Sequence, residues 1–496
     1  MNTTNSQDSA ASTSRIPPPV PEPSFRPPGA SASAGGNYRW VIVGLLLFST
    51  TINSLDKYTI SYLKSYFCDA NGFGWSNSDF ANVTSAFTIV WAVSTIFAGI
   101  IIDKIGSRLG LGLSVTVWST FEILNSLAGR IVGLHMLTRS LLGVGEAGNF
   151  PASLKIVAEW FPKKERAFAT SIFNSVGTSL GAMIAALFVP WCLVTWRVDP
   201  VTGIDKHFLG LFHGWQMALV LTGLIGFVWL AFWFFLGGVP AKLRGKRLSE
   251  AEYAYIHSDI ESGPKVAEAK DSFAEVVIKT VKLLTFRQTW AYALGKFMTD
   301  GIWWFYLFWL PDYLEKQFSL TPQQAGRLCF VVWLVAFTGI LGGVVPMRLM
   351  NRGWHVYKAR FTSMLIFAAL PLSMIVAQYF ANHRAYFGGA ALVFALVFIS
   401  IAVAGHQMWS ANLYTTPSDM FPKKAVATVS GIGIAAGGLG GYLIQKLVGW
   451  LTDYFEGLNS GHTAYTIMFF IAAFAYLAAW LVIKVLVPRH KPVTDL

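Results

Sequence analysis

From Trp40 to Val487 the chain is a succession of long apolar runs separated by short polar breaks. A bilayer core of roughly 30 Å takes about 20 helical residues to cross, and a helix satisfies its backbone polar groups internally, so such runs are constrained to become spanning helices. The runs predict helices over residues 40–63, 79–102, 109–128, 131–154, 166–194, 214–237, 290–315, 323–346, 360–380, 386–411, 425–452 and 463–487. Only 13% of residues are charged, about half the share in a soluble chain. A surface facing lipid demands that shortage, because each Lys, Arg or Asp at a helix centre costs roughly 2.5 to 3.5 kcal/mol on insertion scales. The expected fold class is an all-α membrane protein of twelve transmembrane helices in two six-helix halves.

The placement of charge gives the orientation. Net charge is +12, but the positives sit between apolar runs, which argues against a nucleic-acid partner and for a lipid bilayer. Breaks on one side hold Lys104 and Arg108; Lys163, Lys164 and Arg166; Lys242, Arg244, Lys246 and Arg247; Arg348, Arg352, Lys358 and Arg360; Lys423 and Lys424; and Arg489 and Lys491. The other side is poorer, with Lys64, Arg130, Arg197, Lys206, Lys316, Arg327 and Arg384. The positive-inside rule therefore puts both chain ends in the cytoplasm. Residues 1–36, rich in Ser, Pro and Ala, read as a disordered cytoplasmic tail rather than a signal peptide. The expected division is an N-terminal six-helix half at 37–237, a cytoplasmic linker at 238–286 and a C-terminal half at 287–490. Cys68, Cys192 and Cys329 are too few and scattered for a disulfide framework or metal site, and read as packing residues, with a Cys68–Cys192 bridge as the alternative.

A faint internal repeat supports the division. Glu159-Trp160-Phe161-Pro162-Lys163-Lys164 follows the fourth run, and Asp419-Met420-Phe421-Pro422-Lys423-Lys424 follows the tenth. Duplicated units of this kind place a substrate site between two halves near the midplane.

After the second run the chain reads Gly99-Ile-Ile-Ile-Asp103-Lys104-Ile-Gly106-Ser-Arg108. This G-x-x-x-D-K-x-G-x-R pattern resembles the loop signature of the major facilitator superfamily, which implies a gating loop at Gly99, Asp103, Lys104, Gly106 and Arg108. Glycines there allow a tight turn, and Asp103 is placed to pair with a basic group or helix N-terminus when that side closes. The equivalent second-half break, Gly342-Gly343-Val-Val-Pro346-Met-Arg348, lacks the acid.

The fourth run carries Arg139-Ser-Leu-Leu-Gly143-Val-Gly145-Glu146-Ala-Gly148-Asn149-Phe150-Pro151. Arg139 and Glu146 are nearly two turns apart and share a helix face, and ionisable groups inside a membrane read as a functional site by default. The alternative is an ion pair that only ties helices. The glycines read as packing positions. In the first run, Asn53, Asp56 and Lys57 share a face at i, i+3 and i+4 and are able to project together into a cavity; otherwise Lys57 lies at the outer interface. In the second half, His406, Gln407, Trp409 and Asn412 span about two turns, either as a cluster that reads substrate hydroxyls or as helix–helix hydrogen bonds. Asn174 is a weaker candidate of the same kind, and Trp304 is a candidate for stacking on a sugar face. Glu122, Asp300 and Lys446 are intramembrane charges with no assigned role.

These stretches, with Phe173-Asn174-Ser175, His213-Gly-Trp-Gln-Met-Ala218 and Trp303-Trp304-Phe305 through Trp309-Leu-Pro311, are similar to the anion:cation symporter branch of the superfamily, and to its hexuronate transporters in particular. The resemblance covers residues 37–490. It implies proton coupling through Asp56 and Glu146 and carboxylate binding by Lys57 and Arg139. Two departures stand out: Lys57 replaces an Arg found in many branch members, and Ser54 and Trp91 stand where sugar-acid transporters often have Tyr. The expected function is proton-coupled uptake of a hexuronate by a monomeric carrier of the bacterial inner membrane. Other organic anions (aldonate, aldarate or a tartrate-like acid) are the alternative substrates, and a non-transporting sensor is the competing class. Drug antiport is disfavoured because Ser171–Ala182 lacks a Pro-Gly-Gly element. No catalytic triad order, phosphate-cradling loop or metal spacing points to an enzyme, a cofactor or a metal.

Overall fold

The computed structural model describes residues 36–162, 165, 169–170, 172–196, 207, 209–258, 281–458, 460–489 and 491–493. The expected tail up to residue 35, Lys163, Lys164, Arg166, Arg197, Lys206 and the linker stretch 259–280 lie outside the described residues.

The described chain is helical along its length. In order it forms α1 (Tyr38–Phe67), α2 (Asn77–Ile105), α3 (Ser107–Asn125), α4 (Val132–Glu146 and Asn149–Trp160), α5 (Ile172–Thr195), α6 (Gly214–Leu236), α7 (Arg287–Phe318), α8 (Pro322–Asn351), α9 (Val356–Asn382), α10 (Gly389–Leu413), α11 (Lys423–Gly457) and α12 (Gly461–Leu486). Each expected run finds a helix at its position. Among the described residues nine helices are long and apolar enough to cross a membrane. The other three positions belong to α3, α4 and α7, which carry Glu122, Arg139 with Glu146, and Lys296 with Asp300 and Asp312. α4 is broken into segments of 15 and 12 residues, and α3 and α7 carry charges within their apolar runs.

Local chemistry sets the ends. Ser76 accepts from the Asp79 amide at 3.0 Å while Asp79 accepts from the Ser76 amide at 3.1 Å, a reciprocal cap that starts α2. Thr321 and Gln324 cap α8 in the same way, with Pro322 in its first turn. Gly106, at φ +89°, makes the two-helix corner between α2 and α3. The expected fourth helix is interrupted at Ala147–Gly148, because Pro151 has no amide to donate and its ring crowds the preceding turn. The three cysteines are free, so the Cys68–Cys192 bridge does not form.

Outward-facing Leu113, Leu137, Phe235, Val397 and Leu481 are each about half exposed or more, as a lipid-facing surface requires. The first six helices pack among themselves, as do the last six. The two groups meet where α2 runs along α11, α5 against α8, and α1 against α7. Small residues allow this approach. A Cβ on Gly438 would lie 2.1 Å from Ala92, one on Gly449 2.4 Å from Ala81, and one on Gly326 2.1 Å from the Ala186 carbonyl.

The bonds joining the two groups cluster at the end of the bundle opposite the chain termini. Lys64 of α1 pairs with Asp312 of α7 at 2.7 Å, and Tyr465 donates to the same carboxylate. Lys316 pairs with Glu456 at 2.6 Å, and Asn77 bonds both Asp453 and Glu456. Toward the terminus-bearing end α2 parts from α11 beyond Ala92, leaving Val93, Ile96, Phe97 and Ile101 exposed. The bonds between the groups thus lie toward one end of the bundle, and we read the other end as a cleft between them.

At the cleft end each group is tied to itself. The repeat acids do equivalent work: Glu159 accepts from Ser107 at the start of α3 at 2.7 Å, and Asp419 pairs with Arg360 near the start of α9 at 2.5 Å. The short linker helix Glu250–Ile256 docks on the first group, with Glu252 pairing Arg39 at 3.2 Å and Tyr255 donating to Glu165 at 2.6 Å.

Lys64→Ala should loosen the closed end, since Asp312 then keeps only partners of its own group, Lys316 at 3.5 Å and Tyr465. In a background with Cys68 and Cys192 replaced by Ser, the buried Cys329 of α8 should react with a thiol reagent ~tenfold faster or more; an unchanged labelling rate would count against this closure.

Candidate functional site

Two buried ion pairs occupy the interior of the first group. Lys57 of α1 reaches Glu146 of α4 at 3.2 Å and donates to Asn53 at 2.7 Å. Arg139 of α4 pairs with Glu122 of α3 at 3.1 Å and donates to the Asp56 carbonyl at 3.3 Å, with its guanidinium over the Phe87 ring. The shared face of Arg139 and Glu146 thus does not mean mutual pairing: each takes its counter-ion from a different helix. Of the two, only the Lys57 pair touches the cleft. Lys57 keeps 15% side-chain exposure, whereas Arg139 keeps 1%.

Asp56 is fully buried, and neither carboxylate oxygen has a hydrogen-bond partner. It lies near Glu122, Glu146, Arg139 and Thr222 of α6 and is sealed where Lys57 keeps partial exposure, so Asp56 does not open into a cavity beside Lys57 as their spacing suggested. The cluster therefore holds three carboxyls and two cations, with Asp56 the acid that has no ion-pair partner among the described residues. Gly143, Gly145 and Gly148 let α4 approach α2 and α3; a Cβ on Gly145 would come within 2.6 Å of the Trp118 amide.

Trp91 links this cluster to the second group. The Lys57 ammonium lies 5.2 Å from the Trp91 ring, and Trp91 packs edge-on against Trp304 of α7 at 5.5 Å. Trp304 also meets Phe87 and stacks on Phe308. Its carbonyl accepts from Gln445 of α11, whose own oxygen accepts from Trp309 at 2.6 Å and Thr84 at 3.2 Å. Trp304 is therefore a fixed wall between the two groups. Sequence reasoning missed Gln445, because its partners come from two other helices, α2 and α7.

The α10 candidates are placed as internal ties more than as cleft-lining groups. His406 bonds the Tyr476 hydroxyl at 2.7 Å and stacks on Trp303 at 4.6 Å. Trp409 donates to Thr299 at 3.2 Å, and Asn412 donates to the Gly342 and Met408 carbonyls. Gln407 packs against Gly339 of α8. Asn174 lies in the π-helical turn Ile172–Val176 that opens α5 and is exposed. In the gating loop, Gly99 has open space around it, Lys104 is exposed, and Arg108 donates to the Phe234 carbonyl at 2.7 Å, tying α3 to α6. The side chain of Asp103 lies outside the described set.

Two further charges on α7 were not assigned from sequence. Lys296 pairs with Asp300 at 2.5 Å one turn on, and its ammonium sits 3.8 Å from the Tyr414 ring. Their i, i+4 spacing inside an apolar run was a legible signal.

The family model for the Major Facilitator Superfamily matches residues 46–445. The chain belongs to this superfamily. It is a multi-pass membrane transporter and not an enzyme. It is 28% identical to the hexuronate transporter of Escherichia coli K12 over 418 residues, covering 84% of this chain and 88% of that one. It is 28% identical to the galacturonate transporter of Dickeya chrysanthemi over 62% of this chain and 81% of that one. To the probable galactarate/D-glucarate transporter of Bacillus subtilis it is 27% identical, covering 85% and 87%. Its fold matches that of a bacterial homologue of the human lysosomal transporter Spinster with a TM-score of 0.67 at 19% identity, over 92% of this chain and all of that one. A D-xylose–proton symporter gives 0.65 at 15% identity, with the same coverage.

Arg139→Ala should lower thermal stability in detergent by about 3 to 5 kcal/mol, because Glu122 is left as a lone buried charge. Arg139→Met combined with Glu122→Gln should recover most of that loss, since removing both partners leaves no orphan charge. Equal melting of the single and double variants would contradict the pairing.

Proposed function

We propose that the protein takes up a hexuronate such as glucuronate or galacturonate by proton symport. The observation that carries this reading is the Lys57–Glu146 pair, partly exposed at the cleft beside the Trp91–Trp304 wall. A cation in that place is an anchor for a carboxylate, and its present partner is an acid that a proton neutralises. When Glu146 takes a proton, Lys57 loses its counter-ion and the substrate carboxylate replaces it. When the proton leaves, Glu146 reclaims Lys57 and the anion is displaced. Coupling thus follows from two acids competing for one cation, and neither loaded nor empty protein buries an unpaired Lys57. Asp56, without an ion-pair partner, is the second protonation site, since a proton there changes the local charge balance without breaking a pair. Arg139 is a positioning cation for Glu122 and the Asp56 segment rather than a substrate contact. The relatives' names, which include hexuronate, galacturonate and galactarate/D-glucarate transporters, support an acidic sugar as cargo.

The two six-helix units, residues 37–237 and 287–490, would rock about the site, with residues 238–286 as the connecting linker. The excess of Lys and Arg at the cleft end supports cytoplasmic termini, a bacterial inner membrane and a cleft that faces the cytoplasm.

Glu146→Gln should abolish uphill accumulation of galacturonate in proteoliposomes yet leave counterflow exchange measurable, because a permanently neutral side chain mimics the protonated acid. A variant that still concentrates substrate would remove Glu146 from coupling. Lys57→Arg should retain transport with altered preference, since charge is kept while the point cation becomes a fork. Lys57→Ala should weaken galacturonate by roughly ten- to over a hundredfold, the worth of a charged hydrogen bond at about 1.5 to 3 kcal/mol; near-normal affinity would move the carboxylate elsewhere.

A further inference from the structure

The charged pair on α7 belongs to the same helix as Trp304, whose ring meets the Trp91 ring that lies beside Lys57. Asp300 precedes Trp304 by one helical turn and so shares its face. A Cβ on Gly437 of α11 would lie 2.4 Å from the Asp300 carboxylate, while one on the adjacent Gly438 would lie 2.1 Å from Ala92 of α2. Asp300 is therefore held where α2, α7 and α11 meet, one turn toward the end at which α2 and α11 part. The two members of the pair are buried unequally. Lys296 keeps 1% exposure, with its ammonium taken up by Asp300 and the Tyr414 ring, whereas Asp300 keeps 18%. The cation is hidden and the acid faces the cleft.

We propose that Asp300, held in place by Lys296, reads the hydroxyl end of a sugar acid whose carboxylate sits at Lys57, and selects substrates with one carboxylate over those with two. This rests on the assignment of Lys57 as carboxylate anchor. An ionised carboxylate only accepts hydrogen bonds, and with two oxygens it is suited to neighbouring hydroxyls of a hexuronate or an aldonate. The second carboxylate of an aldarate at the same place would oppose Asp300 with like charge, and Lys296 is too buried and too fully engaged to compensate. One end of the site is thus cationic and accessible, the other anionic and accessible. A polyhydroxylated monoacid matches that polarity and a diacid does not.

The test is competition binding on purified, reconstituted protein, with radiolabelled galacturonate displaced by unlabelled galacturonate, galactonate or galactarate. Wild-type protein should prefer galacturonate and galactonate over galactarate. Asp300→Asn leaves Lys296 buried without a counter-ion and risks misfolding, so Lys296→Met combined with Asp300→Asn is measured beside it. In whichever variant folds, galacturonate should weaken by roughly tenfold or more, the loss of a charge-assisted hydrogen bond, while galactarate weakens less or improves, so the preference narrows. An unchanged preference in the double variant, or wild-type binding of galactarate as tight as galacturonate, would overturn the role of Asp300. Loss of uphill accumulation with an unaltered competition profile would overturn it too, and make the pair a proton site. If wild-type protein binds none of the three acids, the Lys57 reading fails first and takes this one with it; if it binds galacturonate and Lys57→Ala abolishes binding, a flat Asp300 profile refutes Asp300 alone.

Discussion

A charge buried in this bundle needs an opposite charge, and three such pairs between neighbouring helices organise the rest. Lys57 with Glu146, Arg139 with Glu122 and Lys64 with Asp312 each join two helices, and in each pair both side chains are largely hidden. In a low-dielectric interior, breaking such a pair is far more costly than never having made it. The Arg139–Glu122 pair, sealed within one unit, therefore behaves as a permanent fastener. The pair across units, Lys64 with Asp312, is of another kind, because under the proposed rocking it would have to separate. Tyr465 and Lys316 sit beside Asp312 and are able to hold its carboxylate when Lys64 leaves.

Between the fasteners runs a close contact. α2 and α11 approach through Ala81, Ala92, Gly438 and Gly449, and Thr84 with Gln445 and Asn82 with Lys446 bond across it. Trp91 and Trp304 close this seam beside the site through flat rings. Lys57 reaches the cleft next to it, so the group that would hold the carboxylate stands where the two units move apart. Binding and rocking would share one location.

The hydrogen bonds of Thr84, Trp309 and Gln445, with the Trp304 carbonyl, hold the wall from behind. His406, Trp409 and Asn412, which their spacing offered as a hydroxyl-reading cluster, are largely spent on similar internal work. A helix that is polar along one stripe inside a membrane has to satisfy those groups first, and α12 and α8 do so before any substrate arrives. In the proposed reading, recognition in the second unit would fall instead to Asp300, which has both charge and residual exposure.

The sequence by itself determined the class of fold. Apolar runs of spanning length, a shortage of charge and positives gathered in alternate breaks leave a helical membrane bundle as the physically open solution, because only helices and closed barrels satisfy the backbone in lipid. It also marked most of the charges that matter, since an ionisable residue in an apolar run stands out without any structure. What it could not decide was partnership. Arg139 and Glu146 share a helix face yet pair with Glu122 and Lys57, and Asp56 and Lys57 are adjacent yet point to different surroundings. Helical spacing fixes where a side chain leaves its own helix, but the counter-ion is supplied by whichever helix packs there. Lys64 with Asp312 and Trp304 with Gln445 join residues far apart in the chain. Which end is closed, which cation is accessible and which is sealed are decided by packing between helices, and only the tertiary structure contains it.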